Sequence, residues 1–454
     1  MTQLPQKPDD IDFSLDDSAG VEELAPPLPD ESSTSTVDDG PYASWRLPNF
    51  RRYAFSWFCM TIARQMESVA LAVYVYAKTG NVLSLGIVAL MNALPVMLFA
   101  IPAGQLADRI DRRLILGCTV ALALLISTTM LVLCAMQVDP LWIYPCLALN
   151  GLGQALGGPA RTSLLPWLVP NKMFRNAVSW NSTIFHLATM IGPAVGGAVI
   201  GLSATRGVPF ALLGVALWRL MALAGIVTLQ TARPQVVDAV AVTFDSLAAG
   251  VRFVVRHKPI LAAISLDLFA VLLGGATYLL PPLAKESLHV RPEQVGACVG
   301  WLRSAEALGA ICMAFLLAHL PAIRRAGPTM LCAVAVFGLA TIALGLAPTL
   351  PLALLAMFLI GAFDNVSVVI RHTMIQMLTP DSMRGRVSAV NNVFIVASND
   401  LGGLESGLTA FFFGTIPSII LGGVGSIMVV IATAVVLPQI LKIGSLADLK
   451  PKEE

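Results

Sequence analysis

The sequence predicts an all-α integral membrane fold of twelve transmembrane helices in two parallel six-helix repeats. Three observations predict it. The first is composition: 56% of the 454 residues are hydrophobic, 13% are charged and the mean hydropathy is +0.76, whereas soluble domains carry about 25% charge. The second is length. A membrane-spanning helix needs about 20 apolar residues, and twelve such segments can be laid along the chain. The third is an internal repeat: a shift of 210 residues brings one half of the chain onto the other.

In chain order, residues 1–44 form an acidic head. Its first 40 residues hold 11 acids and one base, Lys7, and it carries Pro26, Pro27 and Pro29. Such a segment cannot bury a core and is expected to be disordered; it also lacks the basic start and apolar run of a secretory signal. Spans are expected at about 51–77, 83–106, 114–136, 140–165, 177–201 and 208–230, making an N-terminal bundle over 45–230. Six more follow at about 259–283, 294–319, 327–347, 351–376, 387–412 and 417–441, making a C-terminal bundle over 259–441 before a tail at 442–454. The linker at 231–258 ends in Phe244, Leu247, Val251 and Val254 at helical spacing, beside Arg252, Arg256 and Lys258. It reads either as an amphipathic helix on the membrane surface or as an extension of the seventh helix.

Lysine and arginine placement sets the orientation. With both termini in the cytoplasm, 22 of these residues fall on the cytoplasmic side, among them Arg109, Arg112, Arg113, Arg161, Arg371, Arg384 and Arg386. Four fall outside (Lys78, Arg206, Lys285, Arg291) and three lie within spans (Arg64, Arg219, Arg303). One helix more or fewer would spoil this division. The expected location is the cell inner membrane, with both termini cytoplasmic.

The repeat superimposes Gly151 on Gly361, Arg161 on Arg371, Pro170 on Pro380, Asn181 on Asn391, Gly192 on Gly402 and Gly197 on Gly407. It also places Gly86 on Gly296. The matches are few, but they are residues with special backbone or polar roles. Parallel halves around a central site are an alternating-access transporter architecture.

The chain resembles the major facilitator superfamily across about residues 45–441. Gly104, Asp108, Arg109, Arg112 and Arg113 resemble its loop signature between the second and third helices, with Asp111 where the signature has glycine. Gly192, Pro193, Gly196 and Gly197 resemble its fifth-helix antiporter signature, with Ala188 where an upstream glycine often stands. Pro159-Ala-Arg161, Leu165-Pro166, Pro170 and Met383-Arg384-Gly385-Arg386-Val387 resemble the enterobactin-exporter-like, transmembrane secretion effector branch. The resemblance implies that Asp108 latches the cytoplasmic side against the start of the eleventh helix, near Arg384–Val387, while Arg112 and Arg113 pair with acids or lipid phosphates. It implies that the fifth-helix glycines seal the substrate path; close packing of small residues is the plainer reading of the same residues. Leu147 occupies the place of an arginine that many proton-driven exporters use.

A charge inside a span costs at least a few kcal/mol in lipid, so it should face a cavity or a partner. Arg64 and Glu67 share a face of the first helix at a spacing that allows pairing. Arg303 and Glu306 repeat that spacing on the eighth. Asp267, Asp364, Asp400 and Glu405 have no partner on their own helices, nor does Arg219. Apolar surroundings disfavour the charged form of a lone carboxylate, which suits a proton carrier. Glu67 is therefore the first candidate for a proton or cation coupling site and Asp267 the second.

No phosphate-binding loop, dinucleotide fingerprint or metal-spaced cluster is visible. The seven cysteines lie in apolar segments and read as small hydrophobes. The expected protein is not an enzyme and has no cofactor or metal. It is a monomer in the lipid bilayer, without nucleic-acid partners, that exports a small siderophore or drug-like molecule by proton antiport. A nutrient importer or uniporter is the rival within transport. A membrane receptor or lipid-modifying enzyme is the rival outside it.

Overall fold

The structure is a computed structural model that describes residues 40–203, 205–229, 244–320 and 323–445. The helical bundle begins at Tyr42. The acidic head up to residue 39, the first part of the linker at 230–243 and the tail from 446 lie outside the described residues.

The first half consists of α1 (Pro48–Thr79), α2 (Leu83–Arg109), α3 (Arg112–Ala135), α4 (Ile143–Leu168), α5 (Phe174–Gly201) and α6 (Gly207–Val227). A short helix, α7 (Phe244–Arg256), precedes the second half. That half consists of α8 (Lys258–Leu273), α9 (Leu280–Glu286), α10 (Val295–His319), α11 (Ala326–Gly345), α12 (Leu350–Leu378), α13 (Asp381–Phe413) and α14 (Thr415–Val436). Among the described residues, eight helical units are long and apolar enough to cross a membrane by length and composition, with α8 and α9 counted as one. The others, α1, α2, α4 and α13, have 32, 27, 26 and 33 residues. They are long enough to span as well. They carry some of the charges within the bundle: Arg64 and Glu67 on α1, Arg161 on α4, Asp400 and Glu405 on α13.

Packing in the two halves follows one plan. In the first, α1 lies on α5 and α6, α2 on α4, and α3 on α4 and α6. In the second, α8 lies on α13 and α14, α10 on α12, and α11 on α12 and α14. The halves meet chiefly through two seams, α5 on α10 and α2 on α13. A shift of 210 residues converts each seam into the other.

The seams are built on glycine. A Cβ on Gly197 would lie 2.8 Å from Gly300 Cα, and one on Gly407 would lie 2.8 Å from Gly86 Cα. Each is a distance that two helix backbones tolerate only without a side chain. Both contacts lie toward the face of the bundle that carries the α1–α2 turn. On the same face the Tyr76 hydroxyl donates to Glu286 Oε1 at 3.1 Å. These two residues are also 210 positions apart.

Three expectations need correction. The seventh span is not one helix: α8 stops at Leu273, Gly274 and Gly275 follow, and a short 3-10 turn leads into α9. Gly275 packs against Gly402 and Pro281-Pro282 follow, so the helical hydrogen-bond ladder cannot run through. Met383 to Val387 lie inside α13, not before it. The ordered bundle starts before residue 45: Ser44 donates from its backbone N–H and its hydroxyl to Asn176 Oδ1, at 3.2 and 2.6 Å. As for the linker, α7 is a helix of its own, broken from α8 at His257. Val254 is buried with Val387 and Val390 of α13, while Val251 and Val255 stay exposed beside Arg252 and Arg256.

Candidate functional site

Each half carries one buried ion pair in its interior. Glu67, 3% exposed, receives Arg219 Nη2 of α6 at 2.5 Å and Asn150 Nδ2 of α4 at 3.1 Å. Arg219 spends another donor on the Ala123 carbonyl of α3 at 2.7 Å. The group thus ties α1, α3, α4 and α6 together. This corrects the expected Arg64–Glu67 pair. A same-face pair on one helix is worth a few tenths of a kcal/mol, whereas a buried carboxylate needs a full counter-charge and hydrogen bonds. Arg219 supplies both, and Glu67 is not a lone carboxylate.

In the second half, Asp267 of α8 is in direct contact with Arg371 of α12 and accepts a hydrogen bond from the Ser367 hydroxyl at 3.0 Å. Asp267, too, has its partner, on another helix. Asp364, one turn before Ser367, has no such counter-charge: among the described residues it makes no ion pair. It lies within electrostatic range of Asp267 and Glu306, and of the Arg371 guanidinium. Asp267, Asp364 and Ser367 line a small pocket with Phe337 and Phe363. Of these carboxylates, Asp267 alone contacts a guanidinium among the described residues, that of Arg371. Arg303 acts on Glu306 electrostatically without reaching ion-pair distance. On α13, Asp400 Oδ1 accepts from the Tyr278 hydroxyl at 2.9 Å and Glu405 Oε1 from Thr409 at 2.6 Å.

The equivalent of the Asp267–Arg371 pair in the first half is Trp57 and Arg161. The guanidinium of Arg161 sits over the Trp57 ring, 3.6 Å from its centroid, a cation–π contact in place of a carboxylate. Arg64, set free of Glu67, is exposed near the middle of α1.

The loop signature is partly described. The side chains of Gly104, Asp108, Arg109 and Arg384 lie outside the described residues, and with them the expected latch. Among the described residues, Arg112 and Arg113 form no ion pair. Arg112 Nη1 donates to the Ser163 carbonyl at 3.2 Å and Arg113 Nη2 to the Val227 carbonyl at 2.5 Å. They cap the ends of α4 and α6, where cations are favoured by the helix dipole. Asp111 caps α3 by accepting from the Arg113 N–H at 2.9 Å, a job that the glycine of the signature could not do. The fifth-helix glycines serve two partners. Gly192 and Gly196 pack on Gln65 and Met66 of α1, while Gly197 faces α10 across the seam.

Asn150, Ser367, Arg371, Arg161, Trp57 and Tyr278 escaped the reading of the sequence as site residues. A signal for three of them existed. The shift that places Arg161 on Arg371 also places Trp57 on Asp267.

A family model described as transmembrane secretion effector matches residues 39–453. The chain is 24% identical over 398 residues to the Enterobactin exporter EntS of Escherichia coli O81 (strain ED1a), covering 85% of this chain and 88% of that one. It is 28% identical over 156 residues to the Staphyloferrin A transporter of Staphylococcus aureus (strain NCTC 8325 / PS 47), a match spanning 33% of this chain and 39% of that protein. Among solved structures, nucleoside transporter NupG matches with a TM-score of 0.64 at 14% identity, over 85% of this chain and 98% of that one. A bacterial homolog of the human lysosomal transporter Spinster matches with a TM-score of 0.63 at 18% identity, over 89% and 96%. The fold and these matches together place the chain in the major facilitator superfamily of transporters, and it belongs to the transmembrane secretion effector family.

Proposed function

We propose that this transporter exports a small organic molecule of the siderophore kind across the bacterial cytoplasmic membrane, in exchange for protons. The observation that carries the reading is the pair of glycine seams. Two rigid half-bundles joined by interchangeable backbone contacts can rock about a central cavity. Direction rests on charge. The face of the α2–α3 loop holds most of the basic residues, and that bias favours it as the cytoplasmic one. The described seams then close the outer side. The siderophore class is suggested by the enterobactin and staphyloferrin A relatives.

Proton exchange is supported by Asp364. Asp364 is half-buried within range of Asp267 and Glu306, and Arg371 contacts Asp267 alone; a proton is the smallest counter-charge that would serve Asp364. Asp108 is the latch of the cytoplasmic side when the halves rock the other way. Asp108→Asn is expected to stop transport in a protein that still inserts; wild-type flux would remove the latch.

Everted vesicles with an acidified lumen test the whole reading. Enterobactin or staphyloferrin A added outside should accumulate in the lumen and release protons from it, seen as recovery of a quenched pH dye. Accumulation by counterflow alone, indifferent to the gradient, would favour a uniporter or importer. A solute-independent lipid conversion by the purified protein would favour a membrane enzyme.

A further inference from the structure

Helix α7 presents three kinds of surface. One is packed on α13. A Cβ on Gly250 would lie 2.9 Å from the Arg386 carbonyl oxygen and 3.0 Å from Val390 Cγ2, and Val254 is buried with Val387 and Val390. Beside that contact Phe253 and His257 stack on each other, with ring centroids 3.9 Å apart. The rest of the helix is uncovered. Ala248, Val251 and Val255 are exposed at the i, i+3, i+7 spacing of one apolar stripe. Arg252 and Arg256 are exposed one turn apart on the adjoining stripe, and neither makes an ion pair among the described residues.

The valine stripe is disfavoured in water and the arginines are disfavoured in hydrocarbon. The headgroup layer satisfies both at once. Connectivity puts α7 at that level. It ends at Arg256, and α8, which opens a membrane-crossing unit, starts at Lys258. His257, with φ −95° and ψ 86°, breaks the ladder between them, so α7 does not prolong the axis of the span. Charge then selects among lipids. From Ser246 to Leu266 the chain carries Arg252, Arg256 and Lys258 and no acid. Asp245, the one acid of α7, stands in its first turn, where the helix dipole favours it. Guanidinia one turn apart, about 6 Å along the axis, fit one phosphate or two neighbouring ones, and each can make paired hydrogen bonds to it. An acidic soluble protein would satisfy the arginines, but the valine stripe adjoins a span that is itself in lipid.

We infer that the exposed face of α7 is a docking surface for anionic phospholipid, with Arg252 and Arg256 on headgroup phosphates and Ala248, Val251 and Val255 against the upper acyl chains. Zwitterionic lipid offers the same phosphate with an ammonium beside it, so net negative charge is what the face selects. Lipid bound there stabilises the docked helix over an undocked one. The stretch that α7 grips, Arg386 to Val390, lies in the first three turns of α13, and α13 makes one of the two seams with the other half. Anionic headgroups thereby fix the start of a seam helix from outside the bundle.

The test needs no cargo. Ala248→Cys, in the full chain without its seven native cysteines, carries a polarity-sensitive fluorophore, and the protein is reconstituted in phosphatidylcholine vesicles with a rising fraction of phosphatidylglycerol. Quenching by acrylamide, which is uncharged, should fall by about threefold as phosphatidylglycerol rises, and about 1 M salt should reverse the fall. Each neutralised arginine weakens the attraction about fivefold, so Arg252→Gln with Arg256→Gln should lose the response, whereas Arg252→Lys with Arg256→Lys should keep it. Both arginines are exposed, so these variants should match the parent in thermal unfolding midpoint. Amide hydrogen exchange over residues 381–390 should slow by about tenfold in phosphatidylglycerol for the parent and not for the double Gln variant. Equal quenching in both lipids, or a full response from the double Gln variant, would overturn the docking surface. Quenching indifferent to lipid that falls only when cytosol is added would assign the face to a soluble partner and overturn it as well. Exchange over 381–390 unchanged while quenching falls would overturn the hold on α13.

Discussion

Arg219 and Arg371 are buried guanidinia, each 2% exposed, and each is held in the interior by one carboxylate on another helix. Removing one partner of such a pair leaves the other charge buried and alone. Glu67→Gln is therefore expected to cost ~3–5 kcal/mol of stability, measured as a fall in the thermal unfolding midpoint of the purified protein. The double variant Glu67→Leu with Arg219→Leu removes both charges and should recover most of that loss. A double variant no more stable than the single one would show that the pairing is not the source. The same pair shows what the sequence could not say about residues. Spacing along one helix joined Arg64 to Glu67, because i, i+3 neighbours are the only contacts a linear sequence displays. The true partner is 152 positions away, set by the packing of α1 on α6. Misreading that contact hid that Arg64 stands apart from Glu67, exposed near the middle of α1.

Helices themselves were largely legible, since a bilayer demands long apolar runs and hydropathy measures them. The break between α8 and α9 was not, because the run stays apolar across Gly274 and Gly275 and hydropathy does not register a lost backbone ladder. The glycines of the repeat were visible as identities, but only the structure gives them work. Gly86 with Gly407, and Gly197 with Gly296 and Gly300, are one contact made twice. Gly197→Val would put a branched side chain where even a Cβ meets Gly300 Cα at 2.8 Å, so the face of the α1–α2 turn could not close. The measurement is the labelling of a single cysteine at Ala305, in a background without the seven native cysteines, by a membrane-impermeant maleimide from that face. Labelling should rise about tenfold relative to the parent and transport should fall. Gly407→Val, the mate across the pseudo-twofold, must behave alike. A response from one glycine and not from the other would mean that the two seams do not act as a pair.

At the scale of the whole molecule, the sequence displayed the repeat, the two halves and the excess of charge, yet not how that charge is divided. The division emerges only after the two ion pairs are subtracted, and they could not be subtracted before the folded helices showed them. What is left is a basic first half and an acidic second half built on one plan. Trp57 in place of a carboxylate is the clearest single cause, for it leaves Arg161 charged where Arg371 is neutralised by Asp267. If proton exchange resides in the acidic half, a change there should uncouple transport without abolishing it. Asp364→Asn removes one negative charge from the Asp267, Glu306 and Asp364 group and keeps the side chain's size. Cargo-for-cargo counterflow needs only rocking and binding, so it should stay within about twofold of wild type, whereas accumulation driven by a pH gradient should fall by about tenfold or more. Equal loss of both would place Asp364 in the binding or rocking machinery. Gradient-driven accumulation at the wild-type level would remove it from proton exchange altogether, and the acidic half would need another carrier, of which Asp400, held by the Tyr278 hydroxyl, is the next to test.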